Sequence, residues 1–291
     1  MQILGTGLSG LVGSRLVELN PQFQFTDLSL ETGFDILKPA TLEHIFHHNS
    51  AKVVLHLAAF TDTNAAWNQT GETGGPCYQL NVIGTQNIAN LCLKYDKHLI
   101  YISTDFVFGG SKSTPYTEED IPDPIDWYGH TKCEAEKIAA TANATIVRIA
   151  YPYRSHFPTK TDLVRKIKSK LENHETVTLF TDQITTPTFI DDFAIGMAKI
   201  IDKKPVGIYH LTGSSSQSPY TMALLIAKTF GLDQTLIKLS SLLEYLKSPD
   251  VRPYAVNSSL SNQKFISEFG FTPKTLALGL EELRQQLSLL P

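Results

Sequence analysis

An α/β fold is what this sequence predicts: a doubly wound parallel sheet followed by a smaller C-terminal lobe. Three features predict it. Apolar runs of strand length alternate with segments of helical spacing through the first 150 residues, the rhythm of right-handed βαβ units. A glycine-rich turn, Thr6-Gly-Leu-Ser-Gly-Leu-Val-Gly13, follows the first of these runs and opens the first helix. Past Ala150 the alternation loosens and Pro- and Ser-rich connections separate the elements.

Taken in order, Met1 to Gly5 is a short apolar start, Leu11 to Leu19 has helical spacing, and Gln22 to Thr26 alternates as a strand does. Thr41 to His48 suits a helix, Val53 to Ala59 a buried strand, and Tyr78 to Tyr95 one long helix with apolar residues three and four apart. His98 to Ser103 reads as a strand, Tyr128 to Thr141 as a helix, and Thr145 to Ile149 as a strand. Beyond these, helical spacing at 162–171 and 191–201 alternates with strand-like 177–180 and 207–211, and from Tyr220 onward the chain reads mostly as helices. These boundaries predict a nucleotide-binding domain over residues 1–150, with 175–212 returning to it. A smaller lobe is expected from 151–174 and 213–291. Clefts between such lobes are where ligands bind.

Composition narrows the function. Apolar residues make up 42% of 291, and the formal net charge is −4, so no basic surface for nucleic acid is expected. The apolar runs are far shorter than the ~20 residues of a membrane span. The first strand pattern starts at once, without a signal-peptide pattern, so the expected compartment is the cytoplasm. Cys77, Cys92 and Cys133 lack the paired spacing of a zinc site, and no metal is expected. His47 and His48 read as solvated.

The glycines at 7, 10 and 13 permit a tight turn, close backbone approach to a pyrophosphate, and packing of helix on strand. Asp27 ends the second strand, 20 residues after Gly7, the distance at which a carboxylate accepts from an adenosine ribose. The sheet is therefore expected to be Rossmann-type. A 2′-phosphate would face the charge of Asp27, and no arginine follows closely, so NAD(H) is expected over NADP(H).

Asp126-Trp-Tyr-Gly-His-Thr-Lys132 adds the chemistry. Tyr128 and Lys132 stand four apart where a loop gives way to a helix, so they share one face. A free phenol titrates near ~10, and a lysine one turn away is expected to bring it closer to working pH. On an arbitrary helix such a pair is a solvated face.

In this order, Thr6-Gly-x-x-Gly-x-x-Gly13, Asp35-Ile36, His56-Leu-Ala-Ala59, and Ser103-Thr104 followed by Tyr128-x-x-x-Lys132 resemble the extended short-chain dehydrogenase/reductase family. The resemblance implies that Ser9, Leu11 and Val12 join the three glycines and Asp27 at the cofactor. It also implies Asp35 and Ile36 at the adenine, and Leu57, Ala58 and Ala59 beside the pyrophosphate and nicotinamide ribose. Thr104, Tyr128 and Lys132 would form the catalytic group, the last two also touching the cofactor.

Ser103-Thr-Asp-Phe-Val-Phe-Gly-Gly110, Asp182-Gln-x-x-x-Pro187-Thr, Gly207-Ile-Tyr-His-Leu211 and Arg252-Pro253 with Asn257-Ser-Ser-Leu260 are similar to the RmlD-type sugar-nucleotide reductases, the dTDP-4-dehydrorhamnose reductase group. The likeness extends over nearly the whole chain. It implies NAD(P)H-dependent reduction of a nucleotide-linked 4-keto-6-deoxy sugar, held by Thr61, Asp62, Thr104, Asp105, Phe106, Tyr151 and Arg252, in a chain that can form a homodimer. Phe106 stands where related dehydratases carry a glutamate base, which points away from loss of water. Tyr151 replaces a tryptophan of that group, Phe106 a tyrosine, and Asn81-Val-Ile-Gly-Thr85 is nearer the epimerase pattern. The alternatives are an NAD-dependent sugar-nucleotide epimerase, or a binding protein such as the regulatory subunit of methionine adenosyltransferase, which has the same fold.

Overall fold

In the computed structural model, which describes residues 1–289, two compact units form. The first comprises Met1–Phe108, Ile121–Arg148 and Ala194–Tyr209. The second comprises Gly109–Asp120, Ile149–Phe193 and the described residues from His210 onward.

The elements run β1 (Gln2–Thr6), α1 (Leu11–Leu19), β2 (Gln24–Asp27), α2 (Pro39–His48), β3 (Val53–His56), α3 (Thr63–Trp67), α4 (Pro76–Tyr78), α5 (Gly84–Lys94), β4 (His98–Thr104), α6 (Trp127–Thr141) and β5 (Thr145–Ile149). They continue with β6 (Pro152–Tyr153), α7 (Leu163–Glu172), β7 (Val177–Phe180), β8 (Thr188–Phe189), α8 (Ile190–Lys203), β9 (Gly207–His210), α9 (Pro219–Phe230), β10 (Ile237–Ser240), α10 (Leu242–Tyr245), α11 (Gln263–Phe269) and α12 (Leu276–Ser288).

The expected sheet is present as six strands in the order β2-β1-β3-β4-β5-β9. Strand β1 pairs in parallel with β2 on one side and β3 on the other, and β3 pairs in parallel with β4. Strand order thus reverses at β1, and the carboxyl ends of β1 and β3 are the switch point at which such sheets bind ligands. Strands β3 and β4 read as near-continuous apolar runs because both faces of the sheet are covered. On one face Leu42 and Phe46 of α2, Ile88 and Leu91 of α5, and Ala135 and Ala139 of α6 pack over Leu4, Val54, Leu99 and Ile146. On α1, the buried Asn20 side chain that follows the helix donates to Leu16 O and to Ala194 O of α8, at 2.9 and 3.1 Å.

Helix α6 is pinned to β5 by a buried ion pair. Arg148 donates from Nε to Glu136 Oε1 at 2.8 Å and from Nη2 to Oε2 at 2.6 Å. Removing one partner of such a pair costs about 3–5 kcal/mol, because it leaves a buried charge alone.

The second unit has its own core. Val164, Ile167 and Leu171 of α7, Met222 and Ile226 of α9, and Leu276, Leu280 and Leu283 of α12 pack with Tyr153 and Phe189. Two small sheets, β7 with β10 and β6 with β8, are both parallel.

Several elements differ from expectation. The long helix expected over 78–95 is broken by a π-turn at Gln79–Ile83, between α4 and α5. The strand expected over 53–59 ends at His56, after which Leu57 to Ala59 turn out of the sheet. The tail, expected to be helical, contributes strand β10.

Candidate active site

Two glycines of the turn have no room for a side chain. Gly7 has φ 68°, and a Cβ there would lie 2.6 Å from Ala58 N. A Cβ on Gly13 would lie 2.4 Å from Gly7 O. Gly10 is the N-cap of α1; it makes no side-chain cap, and the first turn holds no acid. The amides of Leu11, Val12 and Gly13 therefore open the helix with the partial positive charge of an uncapped end, and the exposed Ser9 precedes them. Asp27 ends β2, and its Oδ1 is buried without a hydrogen-bond partner.

Leu57 N donates to Thr6 O at 3.1 Å and Ala58 N to Thr6 Oγ1 at 3.2 Å, which holds the 57–59 turn, including Ala59, beside the glycines. Ile36 is buried and packs close to Gly84, while Asp35 Oδ1 accepts from Leu37 N at 2.9 Å. A dinucleotide fits these residues. Gly7 and Gly13 let backbone pass against backbone where a Cβ would clash, the tight turn a pyrophosphate needs, and an unpaired buried carboxylate oxygen suits ribose hydroxyls.

At the end of β4, Thr104 caps a short turn. Its Oγ1 accepts from Phe106 N at 3.3 Å and donates to Asp105 Oδ1 at 3.1 Å. Across from it, α6 starts at an N-cap, Asp126, whose Oδ1 accepts from Gly129 N at 2.7 Å. Gly129 lets the two segments press together, since a Cβ there would meet Phe106 O at 2.1 Å. The result is a buried Tyr128 hydrogen-bonded to the Thr104 side chain, its ring edge-on to Phe106 at 5.4 Å between centroids.

Burial, with Asp105 and Asp126 adding negative charge, pushes the Tyr128 phenol well above the ordinary range against the Thr104 bond. In the free protein burial therefore outweighs the lowering expected from Lys132. Lys132 is buried too, but its Nζ donates to Ile102 O at 2.7 Å and sits 4.1 Å from the Tyr101 ring centroid. Burial lowers it to about 7, with Glu136 opposing.

Thr104, Asp105, Phe106, Tyr128 and Lys132 therefore cluster in the first unit. Thr61 and Asp62 follow β3 there and are exposed. Asp62 Oδ1 caps α3, accepting from Asn64 N at 3.1 Å and Ala65 N at 2.9 Å. Tyr151 and Arg252 belong to the second unit. Tyr151 holds φ 42°, a left-handed backbone that costs a non-glycine residue about 1–3 kcal/mol. Arg252 is buried with its guanidinium 4.1 Å from the Tyr254 ring centroid. In the motif at 182–188, Asp182 accepts from Ser241 Oγ and Leu242 N, both at 2.6 Å, and so anchors the start of α10.

Sequence reasoning missed the frame around the tyrosine. Asp126 had a legible signal, an acid just before a helix start. Asn81 and Thr131 had none, because their bond at 2.9 Å joins residues 50 apart. The three cysteines are free and buried. Among the described residues no group of three or more His, Cys, Asp or Glu could hold a metal ion, and no helix is long and apolar enough to cross a membrane.

The chain is similar to known proteins over most of its length. The dTDP-4-dehydrorhamnose reductase of Aggregatibacter actinomycetemcomitans is 26% identical, over 97% of this chain and 98% of its own. Methionine adenosyltransferase 2 subunit beta of Rattus norvegicus is 28% identical over 81% of this chain and 74% of its own. Among solved structures, a dTDP-4-dehydrorhamnose reductase from Clostridium acetobutylicum superposes with TM-score 0.87 at 26% identity, covering 99% of this chain and 100% of that one. A dTDP-4-dehydrorhamnose reductase from Bacillus anthracis in complex with NADP gives 0.85 at 23%, covering 98% and 99%. The family model of the RmlD substrate binding domain matches residues 1–289, so the chain belongs to that family.

Proposed function

We propose that this protein reduces the ketone of a nucleotide-linked 4-keto-6-deoxy sugar at the expense of a reduced nicotinamide dinucleotide. The observation that carries the reading is the Thr104–Tyr128 pair with a phenyl ring, Phe106, beside it. A phenol held high stays protonated at neutral pH, which is the state a proton donor needs. Reduction asks for no second acid or base, and Phe106 offers none.

The bound cofactor supplies the hydride that ends on C4 of the sugar. As the carbonyl π bond breaks, Tyr128 gives its proton to the C4 oxygen and the ketone becomes an alcohol; water then reprotonates the phenolate. Thr104, its hydroxyl turned from Asp105 Oδ1 to the same oxygen, steadies it, and that bond gains strength as charge develops there. Lys132, about half charged at neutral pH, favours the transient phenolate in its charged form. The glycine turn and the α1 amides would hold the pyrophosphate, and Thr61, Asp62 and Asp105 of the first unit are assigned to the sugar nucleotide. Its three buried free thiols suit a reducing compartment, which supports the cytoplasm.

Steady NADH oxidation with a 4-keto-6-deoxy sugar nucleotide is the expected result, with a product about 2 mass units heavier than the substrate and no water lost from an unmodified hexose nucleotide given NAD. A water-loss product would overturn the reading. Epimerisation, the runner-up, would change configuration without net NADH consumption. The likeness to a methionine adenosyltransferase subunit supports a binding role instead, which inertness toward a panel of such sugars would favour.

For the cofactor we favour NAD(H), on the unpaired Asp27 Oδ1. Asp27→Ala with Leu28→Arg is expected to shift preference toward NADPH about tenfold or more, by removing repulsion and supplying a phosphate partner. A wild-type preference for NADPH would defeat this assignment.

A further inference from the structure

Beneath the glycine turn lies a run of fully buried polar side chains that the proposed chemistry does not use. Thr6 Oγ1, which accepts from Ala58 N, is 2.6 Å from Nδ1 of His56. Nε2 of His56 is 3.1 Å from Thr85 Oγ1, and Thr85 Oγ1 donates to Asn81 O at 2.6 Å. The Asn81 side chain accepts from Phe60 N at 2.8 Å and donates to Thr131 Oγ1 at 2.9 Å; Thr131 Oγ1 in turn donates to Tyr128 O at 2.8 Å. None of Thr6, His56, Asn81, Thr85 and Thr131 is more than 1% exposed.

One arrangement of protons satisfies this chain. Thr85 gives its only proton to a carbonyl, so it must accept from His56 Nε2–H. Burial, with Lys132 nearby, holds His56 down to about 3, so the ring is neutral and carries one N–H. Nδ1 must therefore accept from the Thr6 hydroxyl, which leaves Thr6 Oγ1 to receive Ala58 N–H. Each of these five side chains then has its partner, whereas an Nδ1–H tautomer would leave the Thr6 hydroxyl proton and His56 Nε2 without one. The π-turn at Gln79–Ile83 holds Asn81 at the middle of the chain, where its carbonyl answers Thr85 and its amide answers α6.

We propose that His56, Thr85 and Asn81 are positioning residues that couple the cofactor-holding turns after β1 and β3 to the turn of α6 that carries Tyr128. The inference rests on the reductive reading for its kinetic consequence, but the coupling itself is a property of the free protein. Seating the dinucleotide against Gly7 and Ala58 then sets the tyrosine through bonds, since a network with one proton arrangement resists independent shifts of its ends.

Two measurements need no substrate. Nitrogen NMR of the free protein should show His56 as the Nε2–H tautomer, unprotonated from about pH 5 to about pH 8. An Nδ1–H tautomer or a titration in that range overturns the proposal. Thr85→Val should speed amide exchange at both ends, near Ala58 and at Tyr128 to Lys132, and a change confined to α5 overturns it. The kinetic arm uses the 4-keto sugar nucleotide. Thr85→Val is expected to lower kcat about tenfold with KM for NADH changed less than about threefold, and Thr85→Ser to regain most of the loss. An unchanged kcat, or a serine variant as slow as the valine one, overturns the coupling. A wild-type protein that turned over no such sugar would sink the reductive reading alone, and the tautomer and exchange results would still decide the coupling.

Discussion

Helices α1 and α6 both start beside the candidate chemistry, yet one start is open and the other is tied shut. Gly10 caps α1 with no side chain and no acid follows it, whereas Asp126 closes α6 by accepting from Gly129 N at 2.7 Å. The difference follows from what each end is for. An end without a side-chain cap or an acid leaves its dipole for an anion. A closed end gives that up so that the side chains of its first turn are fixed in place, and Tyr128 sits in that turn. Binding is thus assigned to backbone at α1, and proton transfer to side chains at α6.

The sharpest way to separate these roles is Tyr128→Phe. Only the hydroxyl is lost and the ring still packs on Phe106, so turnover should fall by about 10²–10⁴, the usual worth of a general acid, while NADH affinity stays near the wild-type value. Substantial remaining turnover would move the acid elsewhere. Gly13→Ala is the opposite cut. Its Cβ would meet Gly7 O at 2.4 Å, and overpacking of this kind costs about 1–3 kcal/mol. NADH affinity should drop accordingly, and turnover at saturating cofactor should change far less. An alanine variant that binds NADH normally would mean that the turn has another use.

Asp126→Ala should do less. Losing an N-cap costs about 0.5–2 kcal/mol of stability, read by denaturant unfolding. Because Asp126 also helps to raise the Tyr128 phenol, its removal should let the phenol titrate lower, seen as a shift of the alkaline absorbance change. A phenol that titrates as before would leave Asp126 with the capping role alone.

How much of this was legible in the sequence follows the range of each interaction. The glycine spacing, Asp27 at the end of β2 and the Tyr128–Lys132 spacing are local patterns, and the structure brings each to the expected end of an element. The π-turn was not legible, because apolar spacing from Tyr78 to Tyr95 suits an α-helix as well and the Asn81 partners come from α6 and the 60s loop. Strand β10 was missed because Ile237 to Ser240 is only half apolar and its partner is β7, far back in the chain. Asp62 was legible as either ligand or cap, and at least its Oδ1 is committed to α3. The phenol's direction depended on burial and on two acids, neither of which helical spacing reveals.

The smallest expected effect tests the same contrast through pH. Backbone amides at α1 do not titrate, so any pH dependence of NADH binding near neutrality must come from side chains, and Lys132, lowered to about 7 by burial, is the group placed to give it. The sign follows from linkage. An electron-rich cofactor beside the ammonium favours the charged form and raises the lysine above its free-protein value, so NADH binding takes up a proton where the free lysine is neutral. Affinity should therefore be greatest below about pH 7 and weaken as pH rises through that value, levelling off above the lysine's cofactor-bound pKa. The wild-type protein should show this fall in a fluorescence titration repeated across pH. Lys132→Met should bind more weakly at low pH and lose the dependence there, because the remaining contacts at the glycine turn carry no titrating group. A methionine variant with the same slope as wild type would show that the proton is taken up elsewhere, and the division between a binding backbone and a titrating helix start would have to be redrawn.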